Sequence, residues 1–414
     1  MAQFQPVRGT HDLLPDDYAR FRSVVDTARL AASLYGYREM ATPIFEFTDV
    51  FARSMGETSD AVSKEMYAIN DRGGENLALR PEYTAGICRA FISNGQQQNV
   101  PFKAFAWGPM FRYERPQKGR QRQFHQIDVE VIGSPEPQAD VEVITLGADI
   151  LRRLGILDKC TLLLNTLGDP ESRAAYRDAL VAYFSQHKAS LSEDSLKRLE
   201  KNPLRILDSK DEGDRKLVAN APLIDDFLTP AAANFFAAVK QGLTLAGVPF
   251  QVDPRLVRGL DYYTHTAFEF VTTHLGAQGA VIAGGRYDGL IQQLGGQPTP
   301  GIGWAGGIER LVLLSDPQVA ATEAVAIVPI GEPAEAAAVA LATELRAANI
   351  AVELGYKGNV GKRMKRADKL GCRFAVIFGD DELAKGVVKL KDLKAGSETE
   401  VARGDLAAHL QQRG

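Results

Sequence analysis

The sequence predicts an α+β domain built on a mainly antiparallel sheet and carrying a helical insertion, followed by a smaller α/β domain with a mostly parallel sheet. Three observations carry this. Residues 66–79 and 107–133 read as hairpins, two apolar runs around a turn signal: Asn70-Asp-Arg-Gly-Gly in the first, Pro116 and Gly119 in the second. From about 169 to 245 the composition turns helical and charged. After residue 322 strand and helix patterns alternate as β-α-β-α-β. The expected domains are 1–322, with the insertion inside it, and 323–414.

At 414 residues, 45% hydrophobic, the chain has length for two or three domains and the composition of a soluble globular protein. Its net charge of −4 does not announce a polyanionic partner, which would need local basic patches. Cys88, Cys160 and Cys372 are odd in number and scattered, so neither a disulfide framework nor a Cys-x-x-Cys zinc site is expected. The first residues lack an apolar signal core, and no apolar run reaches membrane-spanning length. The expectation is a cytoplasmic protein with no membrane contact.

In order along the chain, Arg8-Gly-Thr-His-Asp12 precedes Pro15. Tyr18, Phe21, Val25, Ala28, Ala32 and Tyr35 then recur at helical spacing until Gly36. Residues 37–46 look extended, with Pro43 where no ladder N–H is needed. Arg80-Pro-Glu-Tyr-Thr84 reads as a helix start, Pro81 and Glu82 suiting a first turn.

The stretch 107–133 is the densest in chemistry. Arg112, Arg115, Lys118, Arg120 and Arg122 face one acid, Glu114, a charge density that repels itself unless a polyanion meets it. Strand alternation puts Phe124, Gln126, Asp128, Glu130 and Ile132 on one face and His125, Ile127, Val129 and Val131 on the core face. A face offering Arg112, Gln126 and Glu130 can hold an anion beside a small polar molecule; a solvated hairpin of mixed charge is the alternative.

Further on, 140–154 reads as a helix and 161–165 as a buried strand. Leu256-Val-Arg-Gly-Leu-Asp-Tyr-Tyr-Thr264 follows the insertion, offering the fixed guanidinium of Arg258 and the phenol of Tyr263. Residues 267–272 and 280–290 pair as strands, with Gly284 and Gly285 allowing close backbone approach to a ligand. Residues 300–311 run from strand into helix at Gly306-Gly307, with Arg310 in the first turns. In the second domain a helix over 360–370 buries Val360, Met364, Ala367 and Leu370. It leaves Lys362, Arg363, Lys365, Arg366 and Lys369 exposed, which suits a solvated face or an anionic partner.

These motifs together carry a resemblance. Phe-Arg-x-Glu, a basic loop and Arg-x-x-x-Phe124 resemble the second signature of class II aminoacyl-tRNA synthetases. Residues 15–46 resemble the first signature and 300–311 the third. Arg115-Pro-Gln-Lys-Gly-Arg120, Leu79-Arg-Pro-Glu-x-Thr84, Arg258-Gly-Leu-Asp-Tyr-Tyr263 and Gly284-Gly-Arg-Tyr-Asp-Gly-Leu290 are similar to the histidyl-tRNA synthetases in particular.

The resemblance implies ATP-dependent joining of L-histidine to tRNA(His) through a histidyl-adenylate, with Mg2+ beside ATP and a homodimer whose interface is built by the first signature. It implies Arg258 and Arg112 as catalytic groups at the α-phosphate, with Arg120 and Arg310 on the outer phosphates and Phe124 on adenine. The histidine site would comprise Glu82, Tyr83, Thr84, Gln126, Glu130, Tyr262 and Tyr263. Of these, Glu82, Thr84 and Gln126 would take the amino group; Glu130 and Tyr263 would take the imidazole. Arg115 and Gln117 would face the tRNA acceptor end, the insertion would approach the acceptor arm, and 323–414 would bind the anticodon. The metal ligands and the role of Asp128 stay open. The chemistry agrees: a substrate carboxylate already ionised at neutral pH needs positioning and charge neutralisation, not a protein nucleophile. The competing reading is the histidine-binding regulatory paralogue of ATP phosphoribosyltransferase. That paralogue generally lacks the anticodon domain, so Arg258, the basic loop and residues 324–414 argue against it.

Overall fold

The computed structural model describes residues 4–56, 62, 64–117, 119–259, 262–276, 279–318 and 324–412. Lys118, Leu260, Asp261 and the expected boundary at 322/323 lie outside them. The chain divides into two compact units, residues 1–318 and 319–414.

The first unit is organised by an eight-stranded sheet. In chain order its strands, with those of a three-stranded companion, are β1 (Arg38–Glu39), β2 (Phe45–Phe47), β3 (Ala68–Asn70), β4 (Asn76–Leu79), β5 (Phe102–Phe111), β6 (Gln123–Ile132), β7 (Thr161–Thr166), β8 (Gln251–Val252), β9 (Thr264–Thr272), β10 (Gly279–Arg286) and β11 (Gly301–Gly307). The large sheet runs β1-β5-β6-β11-β10-β9-β7-β8 and the small one β2-β4-β3. Neighbours in the large sheet are antiparallel except at its two edges, where β1 joins β5 and β8 joins β7 in parallel. Of residues 37–46, only the two short pieces of β1 and β2 are strand; Pro43 lies between them.

One face of the large sheet buries a core shared with the helices Pro15–Leu34, Pro137–Arg153 and Pro230–Leu245, to which β6 contributes Ile127, Val129 and Val131. The period-two pattern of β6 therefore lands with the polar row on the other face. That face packs against Thr48–Met55 and Thr84–Ser93 through Phe51, Ile87, Phe91, Tyr262 and Tyr287. Where β10 ends, Arg286 and Asp140, both wholly buried, form an ion pair. The guanidinium also donates to the carbonyls of Ser134 (3.0 Å) and Glu136 (3.3 Å), so its donors are met inside the protein.

Helices Pro170–Gln186, Glu193–Lys201 and Glu212–Val218 form a small body with its own core around Tyr176, Phe184 and Ile206. Asp214 fastens it, accepting from Ser192 N (2.9 Å) and from the hydroxyls of Ser192, Ser195 and Ser209 (2.7, 2.6 and 2.6 Å). The helix Pro230–Leu245, counted with this insertion from composition, packs Phe236, Val239 and Leu243 into the main core instead.

The second unit holds β12 (Val325–Pro329), β13 (Val352–Leu354), β14 (Phe374–Phe378), β15 (Val387–Asp392) and β16 (Glu398–Ala402) in the order β13-β12-β14-β15-β16. Only the pairs of β12 with β13 and β14 are parallel; β14–β15 and β15–β16 are antiparallel, so the sheet is mixed rather than mostly parallel. The alternation read from sequence stops at β14, and the returning meander after Gly386 carries only short apolar signals. The helix Val360–Lys369 also differs from its expected stripe. Arg363 is buried, donating to the Pro329 carbonyl (3.3 Å) and to Glu335 (2.6 Å), while Leu370 lies beyond the helix end and is half exposed. Arg366 is paired with Glu353 at 2.8 Å, so two of the expected free cations are already engaged.

Candidate active site

The polar row of β6 lies in a trough. Register places Gln126 between Gly108 of β5 and Gly307 of β11, Asp128 between Ala106 and Ala305, and Glu130 between Ala104 and Gly303. Each flank is a glycine or an alanine. At Gly303 this is obligatory: a Cβ there would stand 1.7 Å from Glu130 Oε2. Gly285 plays a similar part for Tyr263, two of whose ring carbons would lie 2.9 and 3.1 Å from an added Cβ. The close approach that Gly284 and Gly285 permit is thus to β11, β9 and Tyr263 rather than to a ligand.

Above the trough opens a cavity of about 460 Å3. Ten of the residues singled out from sequence line it: Glu82, Thr84, Arg112, Arg120, Phe124, Gln126, Arg258, Tyr262, Tyr263 and Arg310. Four do not. Arg115 and Gln117 are exposed in the loop, where Gln117 and Arg120 exchange backbone hydrogen bonds at 2.9 and 3.1 Å. Glu130 is wholly buried beneath the cavity. Tyr83 faces the interior, stacked under the Arg80 guanidinium and donating to the Trp107 carbonyl at 3.0 Å.

The cavity has a cationic side. Arg112 donates to the Pro81 carbonyl (2.9 Å) and lies 5.2 Å from the Phe124 ring centroid, so cation and aromatic face stand side by side. Arg120 meets Glu114 at 3.4 Å, and Arg310 donates to the carbonyls of Gly119 (3.4 Å) and Ala280 (2.5 Å). Burial, and then the neighbouring charge of Arg120, lower the pKa of Arg310, which an incoming anion would relieve. Arg258 is paired with Glu269, while its buried Nε has no hydrogen-bond partner among the described residues.

The other side is acidic and buried. Glu82 spends both oxygens on the amides of Thr84 and Ala85 (2.8 Å each), capping the helix Thr84–Ser93, which begins after Pro81 and Glu82 rather than with them. Thr84 Oγ donates to Glu130 Oε1 at 2.6 Å, and the Tyr287 hydroxyl donates to the other oxygen. Desolvation pushes the Glu130 carboxyl up to about 8, against those two hydrogen bonds. Gln126 Oε1 and both oxygens of Asp128 are buried without a partner among the described residues. Burial, with Glu130 and Glu82 nearby, raises the Asp128 carboxyl well above its usual range. The unmatched Gln126 Oε1, in the cavity lining, is a place for a donor on a ligand.

Sequence reasoning missed several groups. Tyr287 and Glu269 act through partners more than ten residues away, and Arg205 and Asp208 reach the cavity from the insertion, Arg205 donating to the Arg258 carbonyl at 3.4 Å. Tyr287 lies within the motif Gly284–Leu290, and its aromatic hydroxyl was the available signal.

Comparison with known proteins agrees over nearly the whole chain. The family model described as histidyl-tRNA synthetase matches residues 9–311, and that described as anticodon binding domain matches 324–413. A histidine–tRNA ligase of Rhodospirillum rubrum is 59% identical over 399 residues, covering 96% of each chain. One of Gluconacetobacter diazotrophicus is 58% identical over 410 residues, covering 99% of each. The crystal structure of apo histidyl-tRNA synthetase of S. aureus superposes with a TM-score of 0.85 at 34% identity, covering 99% of this chain and 100% of that one.

Proposed function

The chain belongs to the histidyl-tRNA synthetase family, it ligates histidine to tRNA with ATP, and from that premise we propose how its residues do so. The histidine carboxylate attacks the α-phosphate of ATP, the bond to the β-phosphate breaks, and histidyl-adenylate and pyrophosphate form. The terminal adenosine of tRNA(His) then takes the acyl group and AMP leaves. Arg112 and Arg258 flank the α-phosphate; Arg258 exchanges Glu269 for phosphate oxygen, neutralising charge where it develops. Arg120 and Arg310 hold the outer phosphates, and adenine stacks on Phe124. Among the described residues no group of three or more His, Cys, Asp or Glu side chains could hold a metal ion by itself, so Mg2+ would be held chiefly by the ATP phosphates, where it would supply counter-charge.

Gln126 takes the histidine ammonium with Glu82 and Thr84, while Tyr262 and Tyr263 close the imidazole end over Glu130. Among these acceptors Gln126 Oε1 is unspent, so it contributes most. Arg115 and Gln117, exposed in the loop, meet the acceptor end of the tRNA. Residues 1–322 form the catalytic domain and 323–414 the anticodon-binding domain. The homodimer would cover Phe45, Phe47 and Ile69, which leave the small sheet with half-exposed apolar side chains. The enzyme works in the cytoplasm; among the described residues no helix is long and apolar enough to cross a membrane.

One observation carries the reading: a single cavity joins an arginine-lined side to Glu82, Thr84 and Gln126, the last with a buried Oε1 that has no partner among the described residues, a place for each half of an aminoacyl-adenylate. The test is ATP–pyrophosphate exchange with each amino acid supplied singly. Exchange with histidine alone is expected. No exchange, in a folded protein that still binds histidine, would point to the regulatory paralogue.

A further inference from the structure

Glu309 stands in the cavity wall beside Arg310, an acid where the phosphates of ATP would lie. Left to itself it would repel them. Its oxygens, however, are spent elsewhere. The backbone N–H of His125 on β6 donates to both, at 3.0 Å each, and the His125 ring Nδ1 lies 2.8 Å from Oε1. The imidazole is held in turn by the edge of Phe21, with ring centroids 4.8 Å apart. Ring and carboxylate are each only about 15% exposed, so solvent competes little.

The neighbours of this contact give it meaning. His125 lies between Phe124 and Gln126, and Glu309 precedes Arg310; all three neighbours line the cavity. The helix Ile308–Ser315 that carries Glu309 starts where β11 ends, and β11 pairs with β6 only as far as Gly307–Gln126. Beyond that point backbone pairing no longer fixes β6 against the helix. Glu309 supplies the missing tie.

We propose that Glu309 is a positioning residue: gripping His125, it holds the adenine-stacking Phe124 at a set distance from the phosphate-binding Arg310. This rests on the reading of the cavity as an ATP site. Gln126 is fixed independently by pairing on both sides, with Gly108 and Gly307, whereas Phe124 pairs on one side only, with Met110. The rest of the histidine site stands on Thr84, Glu130 and Tyr263, away from the contact, so ATP recognition should depend on the clamp far more than histidine recognition does.

The test uses two variants of the full chain in steady-state pyrophosphate exchange. Glu309→Ala removes both acceptors, and KM for ATP should rise about tenfold or more. The histidine Kd measured without ATP should stay within about twofold, and the melting temperature near that of the parent. Glu309→Gln keeps an oxygen that can accept from both His125 donors while losing the charge, and it should restore KM for ATP to within about threefold. Three outcomes would overturn the clamp: an unchanged KM for ATP in Glu309→Ala; equal losses of ATP and histidine with a lowered melting temperature, which is a structural role only; or Glu309→Gln as impaired as Glu309→Ala, which would make the charge itself, as for a metal ligand, the working feature. Failure of the ATP-site reading is separate, since it would show as no histidine-dependent exchange in the unaltered protein.

Discussion

Glu130 should make histidine binding tighten as pH rises. Its carboxyl, wholly buried, is pushed up to about 8, so at pH 7 about a tenth of the ligand-free protein carries it ionised. Thr84 and Tyr287 already donate to it, hydrogen bonds that favour the charged form. An imidazole N–H arriving as a third donor therefore favours the carboxylate, and binding draws on the ionised fraction. That fraction rises from about 0.09 at pH 7 to about 0.5 at pH 8, so the apparent affinity should gain about fivefold. Titration calorimetry in buffers of different ionisation heat should also find about 0.9 proton released per histidine bound at pH 7, falling to about 0.5 at pH 8. Glu130→Gln controls for ionisation of histidine itself; it should abolish the excess slope and the released proton and weaken binding about tenfold at pH 8. A flat profile in the unaltered protein, or the same slope in Glu130→Gln, would refute the reasoning.

The same carboxyl has a stability consequence. Between about pH 4.5 and 8 the folded chain holds a proton that the unfolded chain has lost, so stability present at low pH drains away as pH rises through that window, by at most about 5 kcal/mol. Glu130→Gln should accordingly unfold later than its parent in urea at pH 8.5, whereas at pH 4 the two should converge. Gly303→Ala forces a methyl into Glu130 and should cost about 3 kcal/mol or more, read from the urea midpoint; parental stability would mean the trough is looser than its register implies. Asp140→Asn strips the buried Arg286 of its closest counter-charge, a loss of about 3–5 kcal/mol by denaturant titration, much of it recovered when Arg286→Met and Asp140→Leu are combined. Arg258→His should slow adenylate formation about a hundredfold in single-turnover assays while the histidine Kd moves less than threefold.

What could be read from residues alone was whatever repeats locally. The alternation along β6 announced both faces of one strand, because a side chain's face follows from its position in the chain. Which small residues flank that strand depends on β11, more than 170 residues later, and no local pattern expresses that register. Tyr287 and Glu309 were hidden for the same reason: each matters through a partner on another element. The period of residues 360–369 put Arg363 off the apolar stripe, yet its long stem carries the guanidinium inward to the Pro329 carbonyl, so helical position did not decide burial. Tyr83 was drawn toward the ligand by the motif around it, but its size and the cation of Arg80 suit it better to the interior.

The trough on β6 separates two properties that most binding sites entangle. Donors and acceptors belong to the central strand, at Gln126, Asp128 and Glu130, while room belongs to the flanking pairs 108/307, 106/305 and 104/303. A change on a flank edits volume and leaves the chemical vocabulary intact; a change on the centre rewrites that vocabulary at constant volume. Anyone wishing to retune the site for an analogue with a bulkier or a smaller ring would find size and polarity on separate dials, one strand apart.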